Sequence, residues 1–347
     1  MPIQTKLISW YLKNKRDFPW RKTKDPYKIW VSEIILQQTK AATGVLHYNK
    51  FLKEFPTLKK LAKSSEKKVL KTWEGFGYYS RARNLFHTAK KLFYEYHGQF
   101  PTDFQTIKSF RGIGDYTASA IGSMCFNLQE GVVDGNVYRL ISRVFGINDP
   151  ININASKRKF KEKVNFLIKG FDSGLFNQAM MEFGALQCTP SNPKCNICPL
   201  KRICFSYKNN QVHLFPFKSK KKKIKNRFFN FIVFHNSVNE TIIEKRESGI
   251  WKNLYQFPLL ETKNNIKKIS RQQITNILKK YRDTAEFSLS KWNKKPIKNI
   301  LSHQKIEIDF WIVKIDGRIE SFIKKESLMN YPMPKVLQNF REKFFLC

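Results

Sequence analysis

The sequence predicts two domains of different fold class, a mostly α-helical domain over 1–207 and an α+β domain over 227–347. The chain has 347 residues, about twice the usual domain length. Apolar residues recur at three- and four-residue spacing through the first part and alternate with polar residues in the second. Between the two lies a run of lysines without an apolar face, which predicts a basic linker over 208–226.

Short helices are expected in the first domain, because Gly and Pro interrupt the helical pattern at intervals. One interruption is Gly112-Ile113-Gly114, within a predicted helical hairpin at about 108–128. Glycine at both positions allows a tight turn, and the free amides of the following helix suit a phosphate. An ordinary helix-to-helix turn explains the same pattern.

Two carboxylates stand out in the first domain. Glu33 is the only acid in an apolar helical stretch, where it lies either at the exposed edge or in a buried, functional position. If it is buried, its pKa rises and it is suited to donating a proton. Asp134 precedes a periodic run that begins at Val137, so it is a candidate N-cap as well as a candidate functional acid.

Four of the six cysteines, Cys188, Cys195, Cys198 and Cys204, lie in one proline-rich loop over 188–204. Thiolates on a short loop can converge on one metal centre. One close pair flanked by two single cysteines favours one 4Fe-4S cluster over zinc, which more often takes two separated pairs. Zinc and four unrelated buried thiols remain the alternatives.

The second domain is expected to combine strands and helices. Strand patterns cover Phe228 to Phe234, Thr241 to Lys245 and Lys305 to Lys314, whereas Ser270 to Lys280 and Lys335 to Phe345 have helical spacing. This mixture is typical of an α+β domain.

The charge of the chain favours a polyanionic partner. Lys and Arg number 64 against 27 acidic residues, a formal net charge of +37, although AT-rich coding sequence explains part of the excess. No stretch approaches the roughly 18 apolar residues of a membrane span, and the first helix lacks a signal-peptide core. We therefore expect a soluble, cytoplasmic protein without a membrane partner.

Taken together, the motifs resemble the helix-hairpin-helix DNA glycosylases and, among these, the MutY-type adenine glycosylases. The similarity spans about residues 5 to 205. It is carried, in chain order, by Pro19-Trp20-Arg21, Ser32-Glu33, Leu36-Gln37-Gln38-Thr39, Gly75-Phe76-Gly77-Tyr78-Tyr79, Ala82-Arg83-Asn84, the hairpin, Asp134-Gly135-Asn136-Val137, Phe176-Asn177-Gln178-Ala179-Met180-Met181 and the four cysteines.

The resemblance implies base-excision repair by a monomer acting on double-stranded DNA that contains adenine opposite 8-oxoguanine or guanine. The adenine is flipped out of the duplex before the reaction. Glu33 would protonate the leaving base and Asp134 would stabilise the sugar cation, with Tyr116 and Asn136 supporting them. The implied DNA contacts are Arg21, Gln37, Gln38, Tyr78, Gly112 and Gly114, of which Gln38 and Tyr78 would enter the base stack.

Position 116 distinguishes two subfamilies. Endonuclease III-like glycosylase/lyases, the alternative assignment, have there a lysine that forms a Schiff base with the sugar. Because this chain has Tyr116, the resemblance implies a monofunctional hydrolase. A non-catalytic DNA-binding protein is opposed by the joint presence of Glu33 and Asp134. Arg111 departs from the proline common before the first hairpin glycine and adds positive charge.

Residues 227 to 347 resemble, more weakly, the Nudix-like recognition domain of these enzymes. The best matches are the segment from Gly249 to Pro258 and Leu301-Ser302-His303. No glutamate-rich metal box follows Pro258, so nucleotide hydrolysis is not expected. By resemblance, Ser302 and His303 would read the 8-oxoguanine, although Leu301 replaces a common aromatic residue and a plain core histidine is the alternative.

Overall fold

The computed structural model describes residues 1–219, 224–238, 240–282, 285–301, 304–317 and 319–345. The chain folds into two compact units, one formed by 1–63 with 84–220 and the other by 64–83 with 221–347. The sequence analysis had assigned 64–83 to the first domain, whereas the structure groups this segment with the second unit.

The first part of the chain is helical, which confirms the predicted fold class. The helices are α1 (Ile3–Asn14), α2 (Pro26–Leu36), α3 (Ala41–Glu54), α4 (Leu58–Ala62), α5 (Glu66–Thr72), α6 (Ser80–Glu95), α7 (Phe104–Ser109), α8 (Asp115–Phe126), α9 (Gly135–Phe145), α10 (Asn154–Ile168), α11 (Ser173–Leu186) and α12 (Phe205–Lys208). Side-chain N-caps begin several of them. Asp25 accepts a hydrogen bond from the Tyr27 amide, and Asp172 accepts one from the Leu175 amide.

One apolar core holds α1, α9, α10 and α11 together. Its centre is formed by residues that are fully or almost fully buried, namely Phe160, Phe176, Met180 and Phe183. Three of the loop cysteines, Cys188, Cys198 and Cys204, pack against this core. The cysteine loop therefore packs on the same core as α9, the helix that begins at the candidate residues Asp134 and Asn136.

The second unit contains a mixed sheet, which confirms the α+β prediction. Its elements are β1 (Lys225–His235), β2 (Glu244–Lys245), β3 (Tyr255–Gln256), β4 (Leu259–Thr262), α13 (Arg271–Leu278), β5 (Phe287–Lys291), β6 (Ile297–Ile300), β7 (Gln304–Ile315) and α14 (Lys335–Phe345). The strand order is β4-β1-β7-β5, β6 also pairs with β7, and β2 and β3 form a separate pair. β1 and β7 are parallel, with Phe231 opposite Phe310; the other pairings are antiparallel.

A helix packs on each face of this sheet. Alternate residues of β7 face opposite sides, so Phe310 stacks on Phe340 of α14 while Val313 packs with Ile274 and Leu278 of α13. The predicted alternation along this strand thus corresponds to two separate cores. The strand predicted from Thr241 is shorter, because only Glu244–Lys245 pair with β3.

Part of the predicted linker is packed rather than solvated. Phe215 is buried, and Arg143 Nε donates to the carbonyls of Val212 and Phe215 at 3.1 and 3.2 Å. Phe215, an aromatic residue among polar and basic ones, holds this part of the linker against the domain. The linker is also shorter than predicted, because β1 already begins at Lys225. Within the described ranges, no helix is both long and apolar enough to cross a membrane.

Candidate active site

Glu33 is buried within α2, with 5% of its surface exposed. Burial is the main cause that raises the pKa of its carboxyl to about 7, and the charge of Asp134 acts in the same direction. A hydrogen bond with Tyr116 and the charge of Arg21 partly oppose the rise. Among the described residues, Glu33 Oε2 has no hydrogen-bond partner. The structure therefore excludes the exposed-edge alternative and leaves one carboxyl oxygen available to a ligand.

Asp134 caps α9 and at the same time acts electrostatically on Glu33. Its Oδ1 accepts hydrogen bonds from the amides of Asn136 and Val137 at 2.9 and 2.7 Å. Its Oδ2 accepts one from Asn136 Nδ2 at 2.8 Å. Burial raises the pKa of Asp134, and these three donors oppose that rise by favouring the ionised form. Asp134 can therefore be both the N-cap of α9 and a functional acid.

Tyr116 lies at the start of α8 beside both acids. Burial, followed by the charges of Glu33 and Asp134, raises the pKa of its phenol well above the usual value. The hydroxyl therefore stays protonated at neutral pH and can donate to Glu33; it also lies 3.8 Å from Met181 Sδ. The structure thus brings together Glu33, Asp134, Tyr116 and Asn136, the four residues predicted to be catalytic.

A second buried acid, Glu182 of α11, was missed by the sequence analysis. It is 1% exposed, and its carboxylate binds the guanidinium groups of Arg16 and Arg21 at 2.8 and 2.9 Å. Burial alone would raise the pKa of Glu182, but hydrogen bonds from these arginines lower it to about 2. Arg21, a predicted DNA contact, is thus held in an ion pair. Like Glu33, Glu182 is the only acid of an apolar helix, and that signal could have identified it.

Arg139, also missed, connects Asp134 with the cysteine loop. Its Nε donates to the Cys188 carbonyl at 2.7 Å, and one terminal nitrogen donates to Asn136 Oδ1 at 2.9 Å. Asn136 in turn donates to Asp134. Because Arg139 is buried, the loss of any of these acceptors would leave a charged donor unsatisfied. Its structural role depends on contacts that no local sequence pattern displays.

All four predicted metal ligands, Cys188, Cys195, Cys198 and Cys204, line one cavity of about 20 Å³. Aliphatic and aromatic side chains, among them Leu140 and Phe183, line the remainder. Across the described parts of the chain, no three His, Cys, Asp or Glu side chains are placed to hold a single metal ion. Cysteines from the whole 188–204 loop therefore meet at a single cavity.

The hairpin joins α7 to α8. Gly112 has a φ of +83°, and a Cβ added there would lie 2.6 Å from Asn84 Cβ. Gly114 is the N-cap of α8, with a φ of −95°, and a Cβ added there would find no atom within 4 Å. Only at Gly112 do the backbone conformation and a close neighbour therefore require glycine.

We expect Gly112→Ala to destabilise the protein by about 1 to 3 kcal/mol, because it combines an unfavourable φ with a close contact. The matched variant Gly114→Ala should cost less, about 0.5 to 1 kcal/mol, since alanine adopts its φ without a clash and only the N-cap preference of glycine is lost. Thermal unfolding measures both. Equal unfolding temperatures for the two variants would contradict this account of the hairpin.

Gln37, Gln38 and Tyr78 are predicted DNA contacts that lie close to the ends of helices. Gln37 ends α2, and its Nε2 lies 3.5 Å from Thr117 Oγ1. Gln38 follows with a φ of +60° and is exposed. Tyr78, in the second unit, has a φ of +46° and is 44% exposed. Left-handed conformations at residues other than glycine concentrate at functional sites. Ser302 and His303 lie outside the described residues.

The second unit has an open cavity of its own next to Tyr78. It measures about 370 Å³ and is lined by aromatic, basic and amide side chains that include Tyr78, Arg83, Trp251, Asn299 and Lys335. Leu301, which precedes Ser302, also contributes to the wall. Flat rings and hydrogen-bond donors at the edge of one cavity suit an aromatic base attached to a phosphate backbone.

Comparison with known proteins assigns both parts of the chain to families. The HhH-GPD superfamily base excision DNA repair protein model matches residues 31–166, and a NUDIX domain model matches 230–343. The adenine DNA glycosylase of Buchnera aphidicola subsp. Baizongia pistaciae is 38% identical over 88% of this chain and 85% of its own. The Rattus norvegicus adenine DNA glycosylase is 42% identical over 57% of this chain and 40% of its own.

Among solved structures, a thermostable thymine-DNA glycosylase matches with a TM-score of 0.55 and 30% identity, over 59% of this chain and 95% of its own. This match supports the helical fold. The relative from Buchnera extends over most of both chains, which assigns the whole protein rather than one domain. The chain belongs to the adenine DNA glycosylases, base-excision repair enzymes that act on N-glycosyl bonds.

Proposed function

We propose that the enzyme hydrolyses the N-glycosidic bond of adenine paired with 8-oxoguanine or guanine, with Glu33 as general acid and Asp134 as the group that stabilises the sugar cation. The observation that carries the proposal is Glu33 itself. A buried carboxyl with a pKa of about 7 is substantially protonated at neutral pH, and its Oε2 is available to a ligand.

The proposed reaction has two proton transfers. Glu33 donates its proton to a ring nitrogen of the flipped adenine, and the glycosidic electron pair leaves with the base. The positive charge that remains on the sugar is stabilised by the Asp134 carboxylate, which its N–H donors keep in place. Water then forms a bond to the sugar carbon and returns a proton to Glu33, as in other enzymes with paired carboxylates.

The reaction is proposed to stop at the abasic site. Strand cleavage by a lyase requires an amine that forms a Schiff base with the sugar. Tyr116 offers a phenol at this position, and its raised pKa makes it a hydrogen-bond donor instead of a nucleophile. The endonuclease III-like alternative is therefore disfavoured by the same side chain that supports Glu33.

We expect the rate of adenine excision to fall as the pH rises through about 7. The pKa of Glu33 is raised to about 7, and the active form is the protonated one. Above that pH each unit should therefore reduce the rate about tenfold. Single-turnover excision measured from about pH 5.5 to about pH 9 provides the profile. A rate that increases with pH over this range would rule out Glu33 as the proton donor.

The four loop cysteines are proposed to hold one 4Fe-4S cluster. When bound, such a cluster cross-links the loop and can accept or donate an electron. The chain's own contribution is a cavity with a mainly apolar lining and Arg143, which donates to Cys188 Sγ at 3.4 Å and to the Thr189 carbonyl at 2.7 Å. We expect anaerobically purified protein to be brown, with iron and acid-labile sulfide in equal amounts. Colourless protein with bound zinc would overturn the assignment.

Recognition of the opposite base is proposed for the second unit, with Ser302 and His303 as the readers. The cavity lined by Tyr78, Trp251 and Leu301 supports this proposal, and the chain's net charge of +37 supports a duplex DNA partner. We propose that a monomer binds the duplex. The test compares excision of adenine opposite 8-oxoguanine, guanine and thymine. The first two should react and the third should not; equal rates would disprove recognition of the opposite base.

A further inference from the structure

Residues 75–78 form a loop in the second unit, here called the 75–78 loop, with an unusual backbone. The φ angles of Gly75, Gly77 and Tyr78 are +93°, +71° and +46°. Glycine adopts such values freely, whereas tyrosine does so only where its surroundings enforce them. Tyr78 is 44% exposed. Its backbone conformation must therefore be imposed by the residues on either side of the loop.

The two residues that flank this loop bind one and the same residue, Met333. The Met333 amide donates to Glu74 Oε1 at 3.2 Å, and the Tyr79 hydroxyl donates to the Met333 carbonyl at 3.0 Å. Gln338 Nε2 lies 3.4 Å from the Tyr79 oxygen. Both ends of the 75–78 loop are therefore fastened to a single point.

That point is rigid because it belongs to the core of the sheet. Met333 is completely buried and packs in the same cluster as Phe310 of β7 and Phe340 of α14. Gln338 lies on α14 and donates to the Met333 carbonyl. Tyr79 is itself only 6% exposed. The hydrogen bond from the Tyr79 hydroxyl to Met333 therefore restricts the motion of the loop relative to the sheet core.

Further contacts within the segment determine the direction of Tyr78. Trp73 Nε1 donates to the Gly77 carbonyl at 2.9 Å, and Arg81 donates to the Phe76 carbonyl at 3.2 Å. The Arg81 guanidinium lies 5.3 Å from the centre of the Tyr78 ring. With the loop ends bound to Met333, these contacts restrict the backbone on either side of Tyr78 and support one face of its ring.

We propose that Tyr79 is a positioning residue for DNA binding. Its hydroxyl fastens the 75–78 loop to the sheet core and so preorganises Tyr78 for stacking against the bases, without taking part in the chemistry. The inference rests on the proposed function in one respect, since it takes Tyr78 to be a DNA contact. Preorganisation lowers the cost of ordering the loop on binding, so its loss should weaken affinity and leave the excision step unchanged.

The test removes only the hydroxyl. In Tyr79→Phe, we expect amide hydrogen exchange of residues 75–78 to rise about fivefold, the effect of losing one buried hydrogen bond. The Kd for a duplex with a 2′-fluorinated adenosine opposite 8-oxoguanine should also rise about fivefold. The single-turnover excision rate at saturating enzyme should stay within about twofold of the parent.

Tyr281→Phe is the matched control, because its hydroxyl binds Glu244 in the same unit and contacts no loop residue that the structure describes. It should change neither loop exchange nor affinity. Unchanged exchange in Tyr79→Phe, or a reduced excision rate with unaltered Kd, would overturn the inference. If Tyr78→Ala leaves the Kd unaltered while Tyr79→Phe still loosens the loop, the proposed DNA contact fails and the positioning role in the loop stands.

Discussion

Replacing Glu33 with glutamine is expected to abolish excision while preserving DNA binding. Glutamine has nearly the same shape but no proton to donate at neutral pH, so the rate should fall by about 10² to 10⁴, the usual contribution of a general acid. Affinity should be retained, because the carboxyl is buried within α2 and a neutral amide can remain in the same space.

Two measurements separate this expectation from a structural role of Glu33. Single-turnover excision reports the chemical step, and the Kd for a duplex with a 2′-fluorinated adenosine reports binding. A buried carboxyl with a raised pKa stabilises the fold less as the pH rises from its unfolded pKa toward about 7. The glutamine variant should therefore be at least as stable as the parent above that pH. Parallel loss of binding and stability would assign Glu33 a structural role.

Asp134→Asn should reduce excision by about 10² to 10³, because the variant loses the negative charge that faces the sugar cation. The cap of α9 should survive, since asparagine accepts hydrogen bonds at the N-cap about as well as aspartate. The variant thus separates the observed N-cap role of Asp134 from its proposed role in the reaction.

Thermal unfolding and single-turnover kinetics on the same preparation provide the check for Asp134. We expect an unfolding temperature close to that of the parent together with the full loss in rate. Asp172→Asn is the matched control, because Asp172 caps α11 in the same way and has no place in the proposed chemistry. If Asp134→Asn retains the parent rate, the cap is the whole function of Asp134.

Local sequence signals were sufficient for residues whose role depends on their own neighbourhood. Glu33 is an isolated acid in an apolar helix, and the loop cysteines have the spacing of a metal centre. The change from helical to alternating periodicity separated the helical domain from the α+β domain. In each of these cases the physical cause lies within about 20 residues of the chain.

Residues whose role depends on distant partners could not be predicted in this way. Glu182 is ionised because Arg16 and Arg21 approach it from the other end of the domain, 166 and 161 residues away. Arg139 connects the cysteine loop with α9 only because the folded chain places the Cys188 carbonyl next to its guanidinium. The grouping of 64–83 with the second unit likewise depends on contacts such as that of Tyr79 with Met333. Periodicity contains no information about which apolar surfaces meet.

The most direct test of the account uses a duplex labelled on the strand that carries adenine opposite 8-oxoguanine. The parent protein should release free adenine and leave the strand intact until alkali is added, because Glu33 and Asp134 are proposed to act in hydrolysis of the bond and Tyr116 provides no amine. Absence of adenine release would contradict the proposed chemistry. Strand breaks without alkali, together with a covalent adduct trapped by borohydride, would show a lyase instead.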